Sequence, residues 1–264
     1  MTPTLQDMAW HRSAGQLIEQ LDKPSFWWGL ARLIGDYVQL DTWAVLLFSD
    51  GRPFAFAESP YQGEGPDPLF NDYIQGLYLL DPFFIANREY RSSGLVRLAE
   101  VAPERFKETE YYERYFTRYV EQDEVQYNVQ LDESRSLCLS LGSRQCFSPS
   151  QISLLEMIRP WVSGLMRQRM FFEGMLPADN MSRETPRWQD DLEQAMERLG
   201  TPLTARELDV IRLILSGCSN KEVAGKLNIS AETVKVHRRH IYAKLDVKSP
   251  QELFSLFLKA QRSG

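Results

Sequence analysis

Three times near the end of the chain a Ser or Thr is followed three positions later by Glu: Thr204 and Glu207, Ser219 and Glu222, Ser249 and Glu252. In such a pair the hydroxyl caps a free amide of a helix's first turn while the glutamate reaches back to the amide before it, so each pair marks a helix start. Ser230 supplies a fourth start, and Pro250 falls at a first helical position, where its missing N–H costs nothing. The segments between these starts are short. The spacing predicts one helix over about 204–216, turning Leu208, Ile211 and Leu215 to one side and ending at Gly217. A second, over about 220–227, offers Val223, Ala224 and Leu227.

Only "NIS" separates that second helix from the stretch "SAETVKVHRRHIYAKL", Ser230 to Leu245. Two short helices joined by a tight turn, the second of them basic, make a helix-turn-helix arrangement. At about 100° per residue, Val234, His237, Ile241 and Leu245 fall on one side of the third helix. Lys235, Val236, Arg239 and Glu232 fall on the other. The first side suits a core. The second sets a cationic pair around a small apolar residue, a shape that a major groove accepts: Lys and Arg toward guanine edges or phosphate, Val toward a thymine methyl. A merely solvated face is the alternative, although such faces more often mix both signs for pairing one turn apart.

Residues 203–247 read "LTARELDVIRLILSGCSNKEVAGKLNISAETVKVHRRHIYAKLDV". With "LTxRE", "SNKE", "LxIS", "TVKxH" and "KLxV" in order, this stretch resembles the helix-turn-helix of the LuxR/GerE family. The resemblance implies base contacts from Lys235, Val236 and Arg239. It further implies phosphate contacts from Lys221, Thr233 and Lys244, and a homodimer on inverted repeats of double-stranded DNA. A small-molecule effector and RNA polymerase are the other partners that such a regulator implies.

The net charge of the whole chain is -6, an unexpected sign for a DNA-binding protein. The charge is uneven: residues 201–264 carry 11 Lys and Arg against 6 Asp and Glu, and the other 200 residues carry 19 against 30. A basic tail on an acidic body is most simply two domains with different work. We expect 1–175 to be a ligand-sensing or dimerisation domain, 176–200 a linker with a short helix, and 201–264 the DNA-binding domain. "MLPADNMSRETPRW", which is polar and carries two prolines, predicts the linker, and "WQDDLEQAMERLG" predicts the helix. No apolar run approaches the roughly 20 residues of a membrane span. The opening residues lack a basic segment followed by an apolar one, so we expect no secretory signal and a cytoplasmic protein. No cofactor or metal is expected. His237 and His240 lack a carboxylate or thiol at ligand spacing, and Cys138, Cys146 and Cys218 are too few and scattered for a cluster. Cys138 and Cys146 meeting across a hairpin is a lesser alternative.

The first 175 residues read as α+β. "TWAVLLFS" and "PFAFAES" flank an Asp50-Gly51 turn, and "EVQYNVQL" and "RSLCLSLGS" form a second hairpin. Helical periods run through "FWWGLARLIGDYV", "ETEYYERYFTRYVEQ" and "SPSQISLLEMIRPWVSGLMRQRMFF"; in the last of these Pro160 should introduce a bend. The helical part of "FNDYIQGLYLLDPFF" should stop at Leu80, because Asp81 precedes a proline. An α-β-α sandwich around an antiparallel sheet is the fold we expect, joined to an all-α tail of four helices.

"DYIQGLYLLDPF" resembles the Tyr, Tyr, Asp-Pro segment of acyl-homoserine-lactone receptors. The resemblance implies that Tyr73 and Tyr78 line a cavity and that Asp81 accepts a hydrogen bond from a ligand amide. Two departures stand out. The Tyr78–Asp81 spacing is one residue short, and Leu69 stands where that family has a lactone-binding Trp. They imply an orphan regulator whose ligand is not an ordinary acyl-homoserine lactone, or which has none. The alternative for Tyr73, Tyr78 and Asp81 is a packed aromatic core ending in an Asp-Pro turn. A protein-interaction module is a further alternative for the whole. An enzyme is disfavoured, since His11 is the one histidine outside the tail and no nucleophile motif appears.

Overall fold

A computed structural model describes residues 8–61, 67–174 and 203–262. In chain order its principal elements are α1 (Met8–Glu19), α2 (Phe26–Gly35), β1 (Thr42–Ser49), β2 (Arg52–Glu58), α3 (Pro68–Gln75) and α4 (Pro82–Tyr90). Next come β3 (Gly94–Arg97), α5 (Leu98–Val101), β4 (Asp123–Gln130), β5 (Arg135–Ser143) and α6 (Pro149–Glu173). The tail holds α7 (Ala205–Leu215), α8 (Asn220–Leu227), α9 (Ala231–Leu245) and α10 (Pro250–Arg262). The expected linker and short helix over 176–200 lie outside the described residues. Among those described, no helix is long and apolar enough to cross a membrane. The chain divides into two compact units, one made of 1–60, 91–97 and 120–185, the other of 61–90, 98–119 and 186–264.

The first unit is built on an antiparallel five-stranded sheet in the order β2-β1-β5-β4-β3. Both expected hairpins are present. Asp50 and Gly51 turn the first with φ of 51° and 81°, the left-handed pair that matches the twist of the strands on either side. β4 alternates strictly. Val125, Tyr127 and Val129 join a core with Trp27 and Leu30 of α2 and Leu155, Ile158 and Val162 of α6. Glu124, Gln126 and Asn128 point to the opposite face and are buried as well. The Tyr127 hydroxyl donates to the Leu155 carbonyl at 2.7 Å, fixing the sheet to α6.

α6 opens on a full capping box between Ser148 and Gln151 and runs on through Pro160 as one helix. Near its end the buried Arg169 donates to Glu173 at 2.8 Å and to the Leu21 carbonyl at 2.7 Å. The Trp27 indole donates to the same carboxylate at 2.7 Å. This buried charge pair has two further partners to satisfy it, so it ties α2 to α6 rather than leaving an unpaired ion inside. Cys138 lies within β5, and Cys146 lies beyond the end of that strand, so the hairpin does not bring them face to face. Both are free, the first buried and the second exposed. The lesser reading of a disulfide across the hairpin is therefore corrected.

In the second unit, the stretch expected as one helix to Leu80 is two short pieces. α3 ends at Gln75, and after Gly76 a tighter turn covers Leu77–Leu80. Asp81 is extended, with ψ of 122°, as a residue before proline must be, and α4 starts at Pro82. The helix expected over "ETEYYERYFTRYVEQ" runs without a break over 110–119, widened at Tyr112–Phe116 and closing with a turn at Thr117–Tyr119. Tyr111, Tyr115 and Tyr119 are nonetheless all buried, as four-residue spacing requires.

The tail helices begin where the capping pairs place them. Glu207 N–H donates to Thr204 Oγ1 at 3.2 Å while Thr204 N–H donates to Glu207 Oε2 at 2.8 Å, and Ser219 with Glu222 repeats the arrangement. Leu208, Ile211, Val223, Val234, Ile241, Leu253 and Phe257 form the interior of the tail. Gly217, at φ of 95°, lets the chain leave α7 and run against Arg105. The Arg105 amide donates to its carbonyl at 3.0 Å, and a Cβ at Gly217 would lie 2.8 Å from the Arg105 carbonyl oxygen.

Candidate nucleic-acid interface and a buried aromatic site

α9 is set at both ends by local chemistry. Asn228, in the left-handed conformation at φ of 52°, closes α8. Two residues later Ser230 is extended, and its Oγ accepts from the Thr233 amide at 3.0 Å. Asp246, at φ of 51°, ends α9 in the same left-handed way. Between these caps Val234 and Ile241 are fully buried, and at about 1.5–3 kcal/mol per buried aliphatic side chain they fix the rotation of the helix about its axis.

With that rotation fixed, Lys235, Val236 and Arg239 face outward. All three are exposed, Val236 at 37%. The Lys235 Nζ donates to Glu232 Oε2 at 3.0 Å. Thr233 and Lys221 are exposed at the first turns of α9 and α8. Lys244 is exposed but engaged, donating to Glu207 Oε2 at 3.1 Å. Partial burial opposes ionisation of Glu207, yet the Thr204 amide and Lys244 outweigh it and hold its carboxyl below the ordinary value. His237, assigned to the inner side, is half-buried, and His240 is exposed. Among the described residues no three His, Cys, Asp or Glu side chains are grouped to hold a metal.

The family resemblance implies no contact for two further side chains of this region. Arg238 donates to Asn220 Oδ1 at 2.9 Å and lies over the Tyr242 ring at 5.8 Å, joining α9 to the start of α8. Glu232 is the other; it is exposed on the outward face beside Lys235. Cys218 is buried, and that burial pushes its thiol up to about 11, far from a reactive thiolate.

The second candidate site collects Tyr73, Tyr78 and Asp81. Each is about 5% exposed or less. The Tyr73 hydroxyl donates to Asp81 Oδ2 at 2.6 Å, and the Phe83 amide donates to Asp81 Oδ1 at 2.8 Å. The second bond makes Asp81 the cap of α4. Burial raises its carboxyl to about 6 even though both hydrogen bonds favour the charged form. The Tyr73 phenol is driven well above its ordinary value by burial and by the adjacent carboxylate. The Tyr73 ring stacks on Tyr115 at 5.2 Å and on Phe70 at 6.3 Å, and Tyr119 stacks on both of those rings. Tyr78 meets Phe84 edge-on at 5.1 Å. The three residues singled out in the sequence do come together, and they do so inside a stack of aromatic rings.

The family model described as bacterial regulatory proteins, luxR family, matches residues 201–257. A relative from Aeromonas salmonicida, described as an HTH-type transcriptional regulator in the exeN 3′ region, is 33% identical over 183 residues. The match spans 67% of this chain and 93% of that protein. The nitrate/nitrite response regulator protein NarP of Escherichia coli is 51% identical over 57 residues, 22% of this chain and 26% of its own length. Among solved structures, the VqsR LBD domain from Pseudomonas aeruginosa is 49% identical with a TM-score of 0.60. It covers 64% of this chain and is itself covered completely.

Proposed function

This chain belongs to the luxR family of bacterial regulatory proteins, and from that premise we propose that it binds specific DNA sequences as a cytoplasmic homodimer on inverted repeats. The observation that carries the proposal is the two-sided α9: Val234 and Ile241 buried beneath, Lys235, Val236 and Arg239 exposed above. A helix held at that rotation presents two cations and a methyl-bearing side chain to the major groove. Lys221, Thr233 and Lys244 flank this face and suit phosphates, Lys244 exchanging its carboxylate partner for one. Each phosphate so neutralised releases counterions, so binding should weaken steeply with salt. Selection of duplexes from a random-sequence pool by the full chain tests this: a two-fold repeated motif is expected. Enrichment of no motif overturns it.

The N-terminal domain, which we place at 1–175, answers in this reading to a molecule other than an ordinary acyl-homoserine lactone, or to none. The support is that both Asp81 oxygens already accept, one from Tyr73 and one from the Phe83 amide. A ligand amide would have to displace the Tyr73 hydroxyl from a buried site and part stacked rings. A ligand at 100 times its Kd stabilises its protein by about 2.7 kcal/mol. A panel of acyl-homoserine lactones is therefore expected to leave the melting temperature unchanged, and a concentration-dependent rise would refute the reading. The same filled cluster favours a second reading, a module that sequesters or tethers another transcription factor. Native mass spectrometry of protein from its source cells separates the two by the mass that co-purifies.

A further inference from the structure

Glu232, Lys235, Val236 and Arg239 stand at successive intervals of three, one and three residues, which on a helix is one continuous stripe. Three of the four match the base-reading positions proposed above. The fourth is an acid, in the first turn of α9, with its side chain 78% exposed. The first turn of a recognition helix is the part that enters the groove and meets base edges. A carboxylate there is out of place for affinity, because every phosphate repels it. Lys235 screens it at 3.0 Å, but in doing so spends a cation that would otherwise be available to the DNA. An acid that works against binding at most sequences discriminates if one base pair offers it a donor.

The groove's chemistry says which. On its own major-groove edge cytosine presents an N4 amino group and no acceptor, whereas the amino group of adenine sits beside N7 of the same base, which repels a carboxylate. Guanine and thymine present acceptors at that position. We propose that Glu232 is a specificity-determining residue that accepts a hydrogen bond from the N4 amino group of a cytosine in each half-site. Lys235, released from the carboxylate, donates to a guanine acceptor beside it. The inference rests on the DNA-reading proposal and adds a residue and a base pair to it.

The test is selection from a random-sequence pool by the full chain and by Glu232→Gln, with affinities for the selected and for unselected duplexes measured at fixed salt. Glutamine keeps the length, removes the charge and favours adenine, whose N6 and N7 it meets together. The expected result is loss of the cytosine preference at one base pair per half-site, with discrimination there falling by about 5- to 150-fold. Unselected duplexes should bind more tightly to the variant. An unchanged motif overturns the proposal even if unselected DNA binds more tightly, since Glu232 would then only repel phosphates. A wild-type chain that enriches no motif overturns base reading as a whole and Glu232 with it; an unchanged variant motif removes Glu232 alone.

Discussion

Tyr73 and Lys235 each hold a carboxylate, that of Asp81 at 2.6 Å and that of Glu232 at 3.0 Å. The first pair is sealed, with both residues about 5% exposed or less; the second stands in water, its side chains 58% and 78% exposed. Nearly equal distances therefore carry different energies. Inside, a lost partner leaves a polar group that water cannot reach, at a cost of about 1–3 kcal/mol. Outside, water takes the vacated place, and an exposed pair is worth about 0–1 kcal/mol. The sealed pair suits a structural role, whereas the exposed pair can change partners at little cost, which is what a surface meeting DNA needs.

Tyr73→Ala should have the largest effect on stability. It removes a ring stacked on Phe70 and Tyr115 and strips Asp81 of its hydroxyl donor. Truncating a buried aromatic costs about 3–5 kcal/mol. Urea unfolding of the full chain should show a loss in that range; a loss under about 1 kcal/mol would mean that the cluster is not sealed.

Asp81→Asn comes next and turns on pH. The ordinary carboxyl value is 3.8, and burial raises Asp81 to about 6 in the folded chain. A raised folded value stabilises the fold fully below the unfolded value, and that stabilisation is lost as pH rises through about 6. The wild-type chain should therefore lose up to about 3 kcal/mol from this group between pH 4 and pH 6, at about 1.4 kcal/mol per unit. Asparagine does not titrate, so the variant's slope over that interval should be flatter by this amount. Equal slopes in both proteins would show that Asp81 does not titrate with folding.

On the outward face, Arg239→Ala should leave urea unfolding almost unchanged and cost about 1–3 kcal/mol in binding a selected duplex. The comparison that decides is with unselected DNA. If both duplexes weaken equally, Arg239 touches phosphate and not a base.

The outward face was legible in sequence because its causes are local. Ser230, the apolar period of Val234, Ile241 and Leu245, and the tight "NIS" turn together set the rotation of α9, and all of them lie within one stretch of 18 residues. The capping pairs located α7, α8 and α10 for the same reason, and the Asp50-Gly51 turn located the first hairpin. The buried cluster was only half legible. Tyr73, Tyr78 and Asp81 stand out through the resemblance of their segment to acyl-homoserine-lactone receptors, but that Tyr73 itself satisfies Asp81 depends on the helix stopping at Gln75 and a tighter turn following at Leu77–Leu80. The widened turn at Tyr112–Phe116 has no sequence signal of its own, since tyrosines four apart read as an ordinary helix. β3 pairs with β4 from a segment too short to show an alternating pattern, and only the sheet makes it a strand.

The smallest effect is the one that most sharpens the contrast with Tyr73. Glu232→Ala breaks a hydrogen-bonded ion pair, as Tyr73→Ala breaks the bond to Asp81. Both ends of the outer pair are solvated after the change, so neither is stranded. The carboxylate sits in the first turn of α9, where an acid gains a few tenths of a kcal/mol from the helix dipole, and the pair itself is worth about 0–1 kcal/mol. The expected loss in urea unfolding is therefore below about 1 kcal/mol and should shrink further in high salt, which screens exposed charges. A loss of about 3 kcal/mol, unaffected by salt, would mean that Glu232 supports the fold of the tail. The carboxylate could not then leave Lys235 for a base without unsettling α9.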